Sequence, residues 1–275
     1  MGSLRKLLNF DRRIIYLVML VLVSIPLIKP LGIPLGINKG TRNVFNMIDS
    51  LQAGDRVLFS INYDPTSGPD IHPQAVIVLK HLMEKGVKVA LVTFAASGAD
   101  LCDQLIKPYE QQGKVYGDDF VNLGFIAGGE VAIRNLGFDV IGTAKVDYRG
   151  NDLHNVPILQ GIVDARDFDL VYVFHGYNPG IQEWVRQVQG PLNIRLIAGV
   201  VMVSVPEVMP FVTSGQISGL MQGLRGAAEY ELLLNQPGSA VAKMDAQSLG
   251  HLVIIFFIIL GNIAYFIDKK QVKKS

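Results

Sequence analysis

The middle of this sequence predicts an α/β fold: a Rossmann-like, mostly parallel sheet with helices on both faces. Two transmembrane helices are expected to flank it. Three observations carry this expectation. Four short runs, 56–62 (RVLFSIN), 88–94 (KVALVTF), 169–174 (DLVYVF) and 194–203 (IRLIAGVVMV), are apolar at consecutive positions, as strands buried on both faces of a parallel sheet are. Between them lie stretches of helical periodicity joined by short polar turns, the βαβ rhythm. Two segments without any charge, one near each end, hold most of an apolar excess of 49% hydrophobic against 18% charged residues, a balance better suited to lipid than to water.

The segment 246–267 is the plainer of the two. Its 22 residues would make a helix of about 33 Å, enough to cross a hydrocarbon core of about 30 Å. Leu252 to Leu260 is an unbroken run of Leu, Val, Ile and Phe, and Tyr265 stands where an interfacial aromatic belongs. The first segment is assigned to 14–33. Its charge-free part, 14–28, ends at Lys29, and prolines at 26, 30 and 34 predict a kink or an end to the helix. A cleaved secretory signal is the competing reading. No small-x-small site follows the apolar run, which favours a retained anchor.

Arg5, Lys6, Arg12 and Arg13 precede the first segment, and Lys269, Lys270, Lys273 and Lys274 follow the second. The positive-inside rule then puts residues 1–13 and 268–275 in the cytoplasm. The domain 38–238 would face outward from the cell membrane. It is large enough for a full hydrophobic core, and the lone Cys102 excludes an intramolecular disulfide. With a net charge of +1 and no basic block in the middle, the chain lacks the electrostatic footprint of a nucleic-acid binder.

Taken in order, 44–51 carries helical spacing and Gly54 ends it. After the strand at 56–62, Tyr63 to Asp70 reads as a loop. Pro73 suits the first turn of a helix that stops at Gly86. After the second strand, a helix is expected over 99–112. The run 119–126 fits a short strand or an irregular approach to the helix that opens after Gly128 and Gly129 and ends at Gly137. A brief strand at 140–142, a polar loop over 147–155 and a helix over 158–165 follow. The strand at 169–174 leads through a turn to a helix at 181–189, and the strand at 194–203 comes next. The last expected domain element is a long helix, 213–234. On it Gly215, Gly219, Gly223 and Ala227, four apart, would stack along one face and let another backbone come close.

Ligands of open parallel sheets bind beyond the carboxyl ends of the strands. The loops leaving those ends supply Asp64 and Ser67, Ser97 and Asp100, His175 and Asn178, and Ser204 and Glu207. A serine hydrolase would need Ser97 hydrogen-bonded to His175, with Asp64 or Glu207 orienting the imidazole. Over Ala95-Ala96-Ser97-Gly98 alone, the chain resembles the serine turn of membrane-anchored signal-peptide peptidases of the ClpP type. The glycine-rich oxyanion turn of that family is replaced here by Pro65-Thr66-Ser67-Gly68-Pro69, and no activity is carried over. The histidines show neither H-x-x-x-H nor H-E-x-x-H spacing, there is no C-x-x-C, and Gly124, Gly128 and Gly129 lack a Walker lysine. No metal or cofactor is therefore expected. The sequence is read as a membrane-anchored scaffold or accessory subunit. Its expected partners are the lipid bilayer and either a second copy or another membrane protein. A hydrolase and a small-molecule sensor are the alternatives.

Overall fold

The computed structural model describes residues 12–272. The tail segments 1–11 and 273–275, assigned above to the cytoplasm, lie outside the described residues. The chain divides into two units. One is Gly36–Asn235, and the other joins the described residues up to Leu35 with those from Gln236 onward.

The elements run α1 (Arg12–Ile28), α2 (Lys39–Asp49), β1 (Arg56–Asn62), α3 (Gly68–Glu84), β2 (Lys88–Thr93), α4 (Gly98–Gln111) and β3 (Phe120–Phe125). Then come α5 (Glu130–Phe138), α6 (Val140–Ala144), three 3-10 turns and β4 (Leu170–His175). After β4 follow α7 (Ile181–Trp184), a π turn (Val185–Gln189), α8 (Gly190–Leu192) and β5 (Leu196–Val200). The chain closes with α9 (Val205–Thr213), β6 (Leu220–Gln222), α10 (Gly223–Leu233) and α11 (Ser239–Val272).

In Gly36–Asn235 six strands form one all-parallel sheet in the order β3-β2-β1-β4-β5-β6. This is the strand order of Rossmann-like doubly wound sheets, and its direction of growth reverses between β1 and β4. β1 and β4 pair in register from Val57↔Leu170 to Asn62↔His175, so Leu58, Ser60 and Asn62 share a face with Val171, Val173 and His175. On that face Trp184 of α7 is fully buried and donates its indole N–H to Ser60 Oγ at 3.1 Å. The opposite face carries Phe59, Tyr172 and Phe174 in mutual ring contact, with centroids 4.2–5.4 Å apart. There α2, α3 and α10 meet through Phe45, His81 and Tyr230, whose hydroxyl lies 2.8 Å from His81 Nδ1. Burial pushes the Tyr230 hydroxyl well up and the His81 imidazole down, so this cluster is held as neutral groups.

Glu229 of α10 is buried yet fully engaged. It accepts the Asn38 N–H at 3.0 Å, the Thr41 hydroxyl at 2.7 Å and the Arg225 Nε–H at 2.8 Å. It thereby fixes the start of α2, which Asn38 caps by accepting the Gly40 N–H.

Several expectations are corrected. The helix over 213–234 does not exist. Thr213 ends α9, the residues after it form a turn, Leu220–Gln222 is the edge strand β6, and a new helix runs only over Gly223–Leu233. Gly215 and Gly223 sit at φ +81° and +53°, where a right-handed helix cannot run through them. The run 140–142 is the start of a short helix, capped by the Asp139 carboxylate on the Gly142 N–H. The helix over 158–165 is replaced by 3-10 turns on either side of Gly161, whose φ is +79°. α3 starts at Gly68, placing Pro73 inside it.

In the second unit, α11 contains a 28-residue stretch, Ser239–Phe266, of mean hydropathy 2.2, long and apolar enough to cross a membrane. Among the described residues it is the one helix that is. The other expected span, 14–33, stops being helical at Ile28. Pro26 lies inside its last turns, and Pro30 and Pro34 withhold the N–H groups that would extend it. α1 packs along α11. Asp245 lies beside Leu31–Ile33 while Gly250 lies beside Val23, so the two helices run antiparallel. The buried Asp245 carboxylate accepts three successive backbone N–H groups, from Leu31 at 2.7 Å, Gly32 at 2.9 Å and Ile33 at 3.1 Å.

Candidate functional site: the carboxyl rim of the sheet

At the carboxyl end of the sheet the loops after β2, β1, β4 and β5 follow one another in space, which brings the predicted polar residues to one rim. The reversal point lies between β1 and β4. There the chain beyond His175 crosses close over the chain beyond β1: a Cβ on Gly176 would lie 2.7 Å from both Ser67 Oγ and Tyr63 Cβ. The crevice typical of this fold is occupied at that point by the protein's own backbone.

His175 ends β4 and is 1% exposed. Its Nε2 lies 3.0 Å from Glu207 Oε1, on the first turn of α9. Its Nδ1 has no hydrogen-bond partner among the described residues. That nitrogen faces Gly180, where a Cβ would fall 2.1 Å from it. The glycine is thus required by close approach to the ring. The Gly180 N–H itself donates to Glu183 Oε2 at 2.7 Å. A proton on Nε2, shared with Glu207, leaves Nδ1 as a bare lone pair against a C–H group. That is less costly than a buried N–H with no acceptor.

Asp64 does not orient the imidazole. Its carboxylate accepts the Thr66 hydroxyl at 2.7 Å, the Thr66 N–H at 3.1 Å, the Ser67 N–H at 3.0 Å and the Ser67 hydroxyl at 2.9 Å. These bonds, the Thr66 hydroxyl foremost, hold its pKa at about 2. This is a loop folded on its own aspartate.

Ser97 is exposed at the start of α4, and its side chain makes no capping bond. It is not hydrogen-bonded to His175 among the described residues. The strand order explains why: β1 lies between β2 and β4, and strands about 4.8 Å apart leave roughly 10 Å between the ends of β2 and β4. Of the four predicted catalytic residues, His175 and Glu207 come together, and Ser97 and Asp64 stay apart.

Asp70 and Gln74 of α3 are polar groups at this rim that sequence reasoning did not assign. Asp70 accepts the Met202 N–H at 2.8 Å and the Leu224 N–H at 2.7 Å, tying α3 to the turns after β5 and β6. One helical turn on, buried Gln74 donates its amide to the carbonyls of Val200 and Gly223. The i, i+4 spacing of two polar side chains ahead of the apolar run 75–79 was the available signal.

The predicted small-residue face is not a face. Gly215 stands in open space, Gly219 packs on the backbone of Val44, Gly223 packs beside Asp70, and Ala227 is buried in α10. A sizeable hollow lies elsewhere. It is a groove of about 550 Å³ between α3 and α4, lined by His72, Val76, Met83, Leu105, Pro108 and Tyr109. Burial there pushes the Tyr109 hydroxyl up to about 12. Cys102 is buried, and that burial raises its thiol far above the ordinary range. Among the described residues, no group of three or more His, Cys, Asp or Glu is placed to hold a metal ion.

The chain matches no protein-family model, no characterised protein and no solved structure. What its fold defines is a six-stranded, Rossmann-like α/β domain in a chain whose described residues include one helix of membrane-spanning length.

Proposed function

We propose that this chain is a two-span membrane protein whose α/β domain is a non-catalytic docking module held outside the cytoplasm. The observation that carries the non-catalytic reading is the fate of the two nitrogens of His175. One is taken by Glu207 and the other is closed off by Gly180. A general base needs one nitrogen for an orienting carboxylate and the other for the nucleophile's proton. Here neither is left for Ser97. The rim carboxylates Asp64, Asp70 and Asp100 are likewise bonded within the protein.

The antiparallel packing of α1 along α11 supports the two-span topology. It draws the ends of the helices that border the basic flanks to the same side, in keeping with the positive-inside rule. The helix α1 is about 26 Å long, just under the usual hydrocarbon thickness, and a short span of this kind is accommodated by local thinning and by snorkelling flanks.

A serine-reactive fluorophosphonate probe on the full chain in native membranes tests the non-catalytic reading. Wild type and Ser97→Ala should both stay unlabelled, and labelling lost in Ser97→Ala would overturn it. A reporter inserted at Gly150 tests the topology and should report the extracytoplasmic side. The groove between α3 and α4 favours a second reading, a small-molecule sensor, because its volume lies within the range of ligand sites. A rise in Tm with a metabolite, abolished by Val76→Arg, would select it.

A further inference from the structure

The stretch Met202–Thr213 is an apolar helical segment whose one ionisable residue is Glu207. Its inner side, with Val205, Val208, Phe211 and Val212, packs on the core. Its outer side is apolar as well. Val203 is 86% exposed, Met202 45% and Met209 39%, and Pro206 and Pro210 stand beside them exposed. Glu207 also stands on this side with its side chain 43% exposed, a single carboxylate whose Oε1 is held by His175 amid otherwise apolar side chains. A helix with a core-packed inner side and a largely apolar outer side borders a second apolar phase.

We infer that this outer side rests on the lipid surface of the membrane that α11 enters. The inference rests on reading α11 as a span. Two arguments select lipid over a second copy of the chain or another protein. From these exposures the patch amounts to roughly a few hundred Å². A stable protein interface buries about 800 Å² on each partner, so this patch alone would not hold one. Lipid needs no such area because the domain is tethered. Three residues, Gln236, Pro237 and Gly238, separate Asn235 from the start of the membrane-length helix at Ser239. At about 3.5 Å per residue, that linker keeps the domain surface close to the headgroups. Contact is then intramolecular, and a weak affinity suffices. The stretch contains no Lys or Arg, so its attraction is for the apolar boundary and not for anionic headgroups.

The test places a nitroxide on single cysteines in the full chain, reconstituted in phosphatidylcholine vesicles. The variants are Val203→Cys and Met209→Cys, with Val131→Cys on α5 as the water control and Ile258→Cys in α11 as the lipid control. Native Cys102 is buried and should stay unlabelled, which wild type verifies. The preference of each label for oxygen over a water-soluble nickel chelate is read by power saturation. At 203 and 209 it should exceed that at 131 several-fold, in the direction of 258. Labels at 203 and 209 that match 131 overturn the inference, as do labels shielded from both reagents, which would mean protein covers the patch. A response that appears only when phosphatidylglycerol is added also overturns it. If 258 itself reads as water, the span reading has failed. If 258 reads as lipid and 203 as water, the membrane reading stands and this contact alone is wrong.

Discussion

Replacing Gly180 with alanine should unseat His175. The new methyl carbon would lie 2.1 Å from Nδ1, well inside contact distance, so the ring or the loop must shift. The imidazole is walled in by the fold and anchored to Glu207 at 3.0 Å, so relief on one side stretches the other. Overpacking of this kind costs about 1–3 kcal/mol. With a urea dependence of about 2 kcal/mol per molar, the unfolding midpoint should fall by about 0.5–1.5 M. The assay is urea unfolding of the full chain in mild detergent, followed by emission of Trp184. It is the only tryptophan and is fully buried in the same core. A double-mutant cycle isolates the cause: in the His175→Ala background the clash partner is gone, and Gly180→Ala should become nearly neutral. If Gly180→Ala changes the midpoint equally in both backgrounds, or in neither, then Nδ1 is not closed off. The imidazole would then be free to serve as a base, and the argument against catalysis would fall.

Glu229→Ala should be the most damaging carboxylate change in the domain, lowering stability by about 3 kcal/mol or more. It strips the Asn38 N–H, the buried Thr41 hydroxyl and the Arg225 Nε–H of a shared charged acceptor, while Arg225 keeps its bond to the Gly36 carbonyl. A midpoint within error of wild type in the same urea assay would refute this. Asp64 should titrate at about 2. Its folded pKa is depressed, so its contribution is present above its unfolded value of about 3.9 and is lost as pH falls toward 2. A carboxyl carbon NMR titration with a midpoint near 4 would contradict the loop geometry. Asp245→Ala should speed amide exchange at Leu31, Gly32 and Ile33 by about tenfold or more, because hydrogen bonds to a charged acceptor contribute about 1.5–3 kcal/mol. Unchanged protection would mean that the carboxylate is not what orders that turn.

The central strands were legible because burial on both faces leaves a plain mark: Val57-Leu58-Phe59 and Leu170-Val171-Tyr172-Val173 read as apolar without alternation. The edge strand β6 was not legible, because three residues, Leu220-Met221-Gln222, are too few for any period to register. The glycines around it misled. A spacing of four suggested a helix face, whereas Gly215 and Gly223 serve as left-handed turn positions and Gly219 serves a close approach. Proline and glycine also governed 157–165, where apolar residues alone looked helical. At the site, chain order gave the loops but not their neighbours. Glu207 could be paired with His175 because their loops follow adjacent strands, whereas the intervening β1 that parts Ser97 from His175 is a matter of strand order. The role of Gly180 is a contact across space that no local pattern records.

The turn that Asp245 ties is made of groups synthesised 212–214 residues apart. At about 5–20 residues per second, ribosomes need roughly 10–40 s to deliver the aspartate after Leu31–Ile33 have emerged. During that interval the three amides lack this acceptor, and the entire α/β domain must be made in between. The turn beyond the first helix is therefore tied late, by a single carboxylate that arrives only after the α/β domain has been made. A chain stalled before Asp245 would carry its first helix without the acceptor that finishes the turn beyond it.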